Sequence, residues 1–119
     1  MRLIVADDSA VMRKIVIRTL RQTGLSNLDI IEAGDGQELV QLVQQHDPDL
    51  VLSDWNMPNL TGIEALAQLR SMGLTVPFGF VTSEGSDMMR ERAQAAGALF
   101  LLAKPFTPES MEDALSAVV

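Results

Sequence analysis

The sequence predicts an α/β domain built on a doubly wound, five-stranded parallel sheet with five helices packed on its two faces. Three observations carry this expectation. Short apolar runs alternate strictly with longer amphipathic stretches. The runs are apolar almost throughout, as strands buried on both faces must be. Polar residues able to do chemistry follow the runs directly, where an open α/β sheet places its ligands.

The first strand is read over residues 3–6, and the first helix carries Met12, Ile15, Val16, Thr19 and Leu20 on one stripe. Gly24 then stands where a left-handed C-cap belongs. A second strand covers residues 28–31, interrupted by Asp29. Asp35-Gly36-Gln37-Glu38 has the spacing of a capping box and opens a helix striped by Leu39, Leu42, Val43 and His46. His46, at that helix's end, reads as a partner of the helix dipole. Residues 50–52 form the third strand. Thr61-Gly62-Ile63-Glu64 is a second capping box, before a stripe of Ile63, Leu66, Ala67 and Arg70 and a terminal Gly73. The fourth strand spans 78–81, with Gly79 marking the close approach of a neighbouring backbone. Met89, Ala93 and Ala96 share a stripe of the fourth helix, and Gly97 ends it. The fifth strand spans 99–103, and Thr107-Pro108 supplies an N-cap and a first-turn proline for the last helix. Crossovers between parallel strands are right-handed, so helices must lie on both faces.

With 119 residues the chain is one domain, residues 1–119, large enough to bury roughly two-thirds of its unfolded surface. It has no cysteine and a single histidine, which excludes disulfides, thiolate metal sites and multi-histidine sites, and argues against a catalytic triad. The net charge of −7 without a basic stripe argues against direct binding of nucleic acid. Residues 3–6 are apolar but give way to Asp7 and Asp8, too short a run for a signal peptide or a membrane span. The expectation is a cytoplasmic domain that does not insert into membranes.

Reading just past the strands gives Asp7-Asp8, then Glu32-Ala33-Gly34, Asp54, Thr82-Ser83-Glu84 and Lys104-Pro105. Asp7, Asp8 and Asp54 would therefore meet at one sheet edge. Two unit charges about 4 Å apart repel by ~4 kcal/mol at an effective dielectric near 20. Such a cluster must hold a cation, accept a salt bridge or keep a proton. Carboxylates without histidine or cysteine suit a hard cation, Mg²⁺ before others, or Mn²⁺. Together with a hydroxyl and a lysine they make a phosphoryl-transfer site. No Walker A or G-x-G-x-x-G loop is present to cradle a nucleotide, so an acidic side chain is the expected acceptor.

Val5-Ala6-Asp7-Asp8-Ser9, Asp54-Trp55-Asn56-Met57-Pro58, Val81-Thr82-Ser83-Glu84 and Lys104-Pro105-Phe106, taken in order, resemble the response-regulator receiver family. The spacings Asp8 to Asp54 to Thr82 to Lys104 are 46, 28 and 22 positions, and the resemblance covers the whole chain. The run from Asp54 to Asn59 is most similar to the chemotaxis regulators of that family. The resemblance implies the flavodoxin-like strand order 2-1-3-4-5. It implies a switch protein rather than an enzyme, with its own phosphorylation and dephosphorylation chemistry. A sensor histidine kinase would phosphorylate Asp54. Asp8 would bind Mg²⁺ directly and Asp7 through a water, with Asp54 and the carbonyl of Asn56 completing the set. Lys104, aimed by a cis peptide to Pro105, would pair with the phosphoryl group, and Thr82 would donate its hydroxyl. Asn56 and Glu84 would modulate hydrolysis. Each has a plainer reading: Asp7 and Asp8 as helix caps, Asp54 as a loop aspartate, Lys104, Asn56 and Glu84 as solvated residues, Thr82 as a β-branched strand end.

Trp55 is partly exposed by the same resemblance, although by itself it equally suits a core anchor. Leu101 stands where many members carry an aromatic switch residue, and Phe100 beside it alternates to the other face. A downstream protein would dock on the fourth helix, fifth strand and fifth helix, at Met88, Met89, Arg90, Arg92, Leu101 and Phe106, and a phosphatase could reset the switch. With about three turns left for the last helix, the chain could also be the receiver portion of a longer DNA-binding regulator or hybrid kinase. Two other classes are an aspartate-nucleophile phosphatase, whose D-x-D pattern Asp54-Trp55-Asn56 lacks, and a flavin binder, whose phosphate Asp7 and Asp8 would repel.

Overall fold

A computed structural model describes residues 1–118. The elements run β1 (Arg2–Ala6), α1 (Ala10–Arg21), β2 (Asp29–Ala33), α2 (Gly36–His46), β3 (Leu50–Ser53), α3 (Gly62–Ser71), β4 (Phe78–Thr82), α4 (Asp87–Ala95), β5 (Phe100–Ala103) and α5 (Pro108–Leu115). All strand pairs are parallel and the order is β2-β1-β3-β4-β5, as the resemblance implies. The change of winding direction falls between β1 and β3.

Successive side chains of a strand point to opposite faces, and the sheet sorts its two cores accordingly. Ile4, Val51, Phe78 and Phe80 join Leu39, Val43, Leu66, Leu69 and Ala93 under α2, α3 and α4. Leu3, Val5, Leu50, Leu52 and Val81 join Val16, Leu20, Met111 and Leu115 under α1 and α5.

The helix caps follow the sequence with two corrections. Thr61 and Glu64 form the complete reciprocal box, and Gly73 and Gly97 take positive φ. At Asp35 only half the expected box exists: Asp35 accepts from the Glu38 amide, while Glu38 turns to the Gly34 amide. Gly24 is not the left-handed cap; Gln22, right-handed, is the C-cap of α1, and the left-handed residue of that loop is Asn27.

The helical stripes are also rotated from those expected. On α1 the buried residues are Val16, Thr19 and Leu20, and Ile15 is exposed. On α3 they are Gly62, Ala65, Leu66 and Leu69, with Ala67 in solvent. Arg70 bends under the sheet edge, donating to the carbonyls of Leu74, Val76 and Gly97. Gly79 makes room for a ring, not a backbone: a Cβ there would lie 2.2 Å from Cζ of Phe100, its register partner on β5. Leu101 faces the opposite core at 8% exposure, so it cannot be displayed for docking. Met89 likewise packs into that core with Ala93 and Ala96, leaving Met88, at 72%, as the exposed apolar side chain of α4. Phe106 packs against the other core.

Candidate functional site

The site lies at the carboxyl edge of the sheet, beside the change of winding. β1 ends at Ala6, and the Asp7 amide still bonds the Ala33 carbonyl of β2. Ser9, not the aspartate pair, caps α1 by accepting from the Met12 amide at 3.2 Å. Asp7 and Asp8 are thus not spent as caps. The Asp7 carboxylate instead folds back, with Oδ1 accepting from the Ser9 amide at 2.9 Å. Asp54 leaves β3 with its amide on the Ala6 carbonyl at 2.8 Å, and its Oδ1 accepts from the Trp55 amide at 2.8 Å. One carboxylate oxygen from each of Asp7, Asp8 and Asp54 lies within 4.8 Å of the others.

Lys104 arrives from β5 across a cis bond to Pro105, as expected. Its ammonium stands 3.3 Å from Asp7 Oδ2 and 3.8 Å from Asp54 Oδ2. Thr82, fully buried at the end of β4, is tied to this arm because its carbonyl accepts from the Lys104 amide at 2.8 Å. Its Oγ1 accepts from the Glu84 amide at 3.3 Å, which holds the turn after β4. The Asn56 and Glu84 side chains are exposed at the rim.

The electrostatics follow from this packing. Burial raises the Asp54 pKa above its ordinary value, Lys104 opposes the shift, and the neighbouring Asp7 and Asp8 charges reinforce it. The donor set is three carboxylates with no imidazole or thiolate, which fits a hard divalent cation such as Mg²⁺ or Mn²⁺. His46 lies in the last turn of α2, in keeping with its dipole reading.

Several supporting residues escaped the sequence reading. Ser53 is buried and donates through Oγ to the Asp54 carbonyl at 2.8 Å. Gly62 bonds the Trp55 carbonyl, and a Cβ on it would come within 2.2 Å of the Asp54 carbonyl oxygen. Arg13, one turn into α1, reaches the Asp7 carbonyl and the Glu32 carboxylate. The Thr61-Gly62 cap was a signal for Gly62; nothing local signals Ser53 or Arg13. Trp55 is buried at 6% exposure, against the partial exposure expected from the resemblance. Its ring packs on Phe80 with centroids 4.8 Å apart, and the Arg92 guanidinium lies over it at 5.4 Å.

Residues 3–116 match the sequence model of the response regulator receiver domain. The chain belongs to this family. Receivers are the signal-accepting domains of two-component systems, and this membership displaces the phosphatase and flavin readings. The chain is 36% identical over 118 residues to the transcriptional regulatory protein PdtaR of Mycobacterium tuberculosis, covering 99% of this chain and 56% of PdtaR. It thus spans just over half the length of that relative. It is 33% identical over 122 residues to the chemotaxis protein CheY1 of Helicobacter pylori, covering all of this chain and 97% of CheY1. The solved structure of the chemotaxis regulator CheY4 of Vibrio cholerae superposes with a TM-score of 0.86 at 31% identity, covering 99% of this receiver and 98% of CheY4. Among the described residues, no helix of this receiver is long and apolar enough to cross a membrane.

Proposed function

We propose that this receiver is a phosphoacceptor switch in which Asp54 takes a phosphoryl group from a phosphohistidine of a sensor histidine kinase. The observation that carries the reading is the Lys104 ammonium between Asp7 and Asp54, 3.3 and 3.8 Å from their Oδ2 atoms, at the rim of a three-carboxylate cluster. The Trp55 amide occupies Asp54 Oδ1, which leaves Oδ2 as the attacking oxygen. The Oδ2–P bond forms as the P–N bond to the donor imidazole breaks, and the electron pair leaves with that nitrogen. Lys104 shifts from the carboxylates to a phosphoryl oxygen, and the Thr82 hydroxyl donates to another. Mg²⁺ or Mn²⁺, held by Asp7, Asp8, Asp54 and the Asn56 carbonyl, would offset the negative charge of the phosphoryl oxygens. Asn56 and Glu84 border the route of the hydrolytic water and set the lifetime of the acyl phosphate, by self-hydrolysis or with a phosphatase.

The modified domain shifts its population toward a state that binds a downstream protein through α4, β5 and α5 in the cytoplasm. Met88, Arg90 and Arg92 offer that surface, whereas Leu101 acts from below it. Similarity to CheY1 over 97% of that protein supports a role in chemotaxis or motility. Coverage of only 56% of PdtaR, a transcriptional regulatory protein, supports a second reading, the receiver portion of a longer regulator. The length of the reading frame in the genome separates the two.

Intact mass spectrometry after mixing with a small acyl-phosphate donor tests the chemistry. One phosphoryl group is expected with Mg²⁺, none with chelator and none in Asp54→Ala. Should hydrolysis outrun detection, the beryllofluoride mimic is expected to change Trp55 fluorescence. Silence in both experiments would sink the proposal.

A further inference from the structure

The three carboxylates of the cluster are not held equally. Asp7 is fixed by Ser9 and Lys104, and Asp54 by Trp55 and Lys104. Among the described residues, the exposed Asp8 carboxylate takes neither a hydrogen bond nor an ion pair. Its direction is inherited from its backbone. A peptide unit is planar, so fixing the Asp7 carbonyl also fixes the Asp8 amide and limits where the Asp8 side chain can point. The group that fixes that carbonyl is the Arg13 guanidinium: Nη1 donates to the Asp7 carbonyl, and Nε donates to Glu32 Oε1 at 2.9 Å. The guanidinium is thereby stretched between α1, the end of β1 and the edge strand β2, with its side chain only 18% exposed. Lysine cannot reproduce this two-ended grip, because the grip needs a planar fork with separated donors.

We infer that Arg13 is a positioning residue for divalent-cation binding: it pins the Asp7–Asp8 peptide and so presents Asp8 to the cluster. The inference rests on the cation-assisted phosphoacceptor reading above. Charge and geometry make opposite predictions here. A cation this close to an acidic cluster repels a metal ion, so if Arg13 acted by charge alone, its removal would tighten binding. If Arg13 acts by positioning, both its neutral and its charged replacements weaken binding.

The test is titration of the chelator-treated protein with Mn²⁺, counting free metal by electron paramagnetic resonance, in wild type, Arg13→Gln and Arg13→Lys. Supports behind metal ligands typically change affinity by about tenfold or more, and both variants are expected to weaken Mn²⁺ binding by roughly that factor. In the metal-free variants, the amides at 7–9 are expected to exchange hydrogen faster than in wild type. Thermal unfolding of each variant is recorded alongside, and Arg13→Lys keeps the question open if Arg13→Gln does not fold. Unchanged affinity in Arg13→Lys, or tighter binding in Arg13→Gln, overturns the inference and leaves the phosphoacceptor reading standing. Wild type without any Mn²⁺ binding overturns both.

Discussion

Lys104 lies closer to Asp7 than to Asp54, at 3.3 Å against 3.8 Å. In this resting arrangement the lysine serves the acidic pair as well as the proposed acceptor. Its charge offsets two of the three carboxylates that a divalent cation would neutralise. Lys104→Met is therefore expected to tighten Mn²⁺ binding on the order of tenfold, a screened fraction of a ~4 kcal/mol charge–charge term. The same change removes the strongest influence opposing the raised Asp54 pKa, so that pKa is expected to climb further. Adduct formation with a small phosphodonor should fall at the same time. A variant with tighter metal binding and poorer phosphorylation carries the signature; weaker metal binding would contradict the placement of the charge.

Asp54 itself is held at a cost in stability. Burial raises its pKa above the unfolded value of 3.8, so the native state keeps the proton where the unfolded chain has already lost it. Stability from this group is complete below the unfolded value and is lost as pH rises through the raised native value. In metal-free buffer, Asp54→Asn is expected to melt a few degrees higher than wild type near neutral pH. The advantage should vanish in acid below the unfolded value. An advantage that persisted there would point to packing rather than to the buried charge.

Much of this was legible in the sequence, for a physical reason. Parallel strands buried on both faces are apolar almost to their ends, so the charged residues just past them, Asp7, Asp54 and Lys104, mark the sheet's carboxyl edge. The direction of the helical stripes was less legible. Periodicity gives a face but not how that face meets the sheet, so it places Ile15 and Ala67 inside, whereas both lie outside. Contacts distant in sequence left no local trace. Nothing near Arg13 announces the Asp7 carbonyl or Glu32, and nothing near Trp55 announces Arg92. Gly79 signals a close approach, but the approaching group is a ring one strand over and not the neighbouring backbone expected, because it depends on the β4–β5 register.

That register gives a sharp test. A methyl at position 79 would meet the Phe100 ring at 2.2–2.6 Å, far inside contact distance. Gly79→Ala is expected to cost about 1–3 kcal/mol, in the range of overpacking. With Phe100→Ala in place the same substitution should cost almost nothing, since alanine is otherwise the better strand residue. Urea unfolding of the two single variants and the double variant closes the cycle. Additive costs would mean that the ring is not the obstacle.

Trp55 is the chain's single tryptophan, so its fluorescence reports one place. That place touches both ends of the proposed switch: the Trp55 amide binds Asp54 Oδ1, and its ring carries Arg92 of α4 at 5.4 Å. Cation–π contacts at exposed sites contribute about 0.5–1 kcal/mol, so Arg92→Gln is expected to lower stability by no more than that. The optical effect should be larger than the energetic one, because the guanidinium lies over one face of the ring and its removal should open that face to solvent. Emission should shift to the red, and a neutral quencher should reach the indole more readily. Arg92→Lys keeps a cation over the ring but not the flat cover, so it should preserve most of the stability while still admitting quencher. An unchanged spectrum in both variants would mean that Phe80 and the surrounding core suffice to bury Trp55, and that α4 does not sense the acceptor loop through this contact.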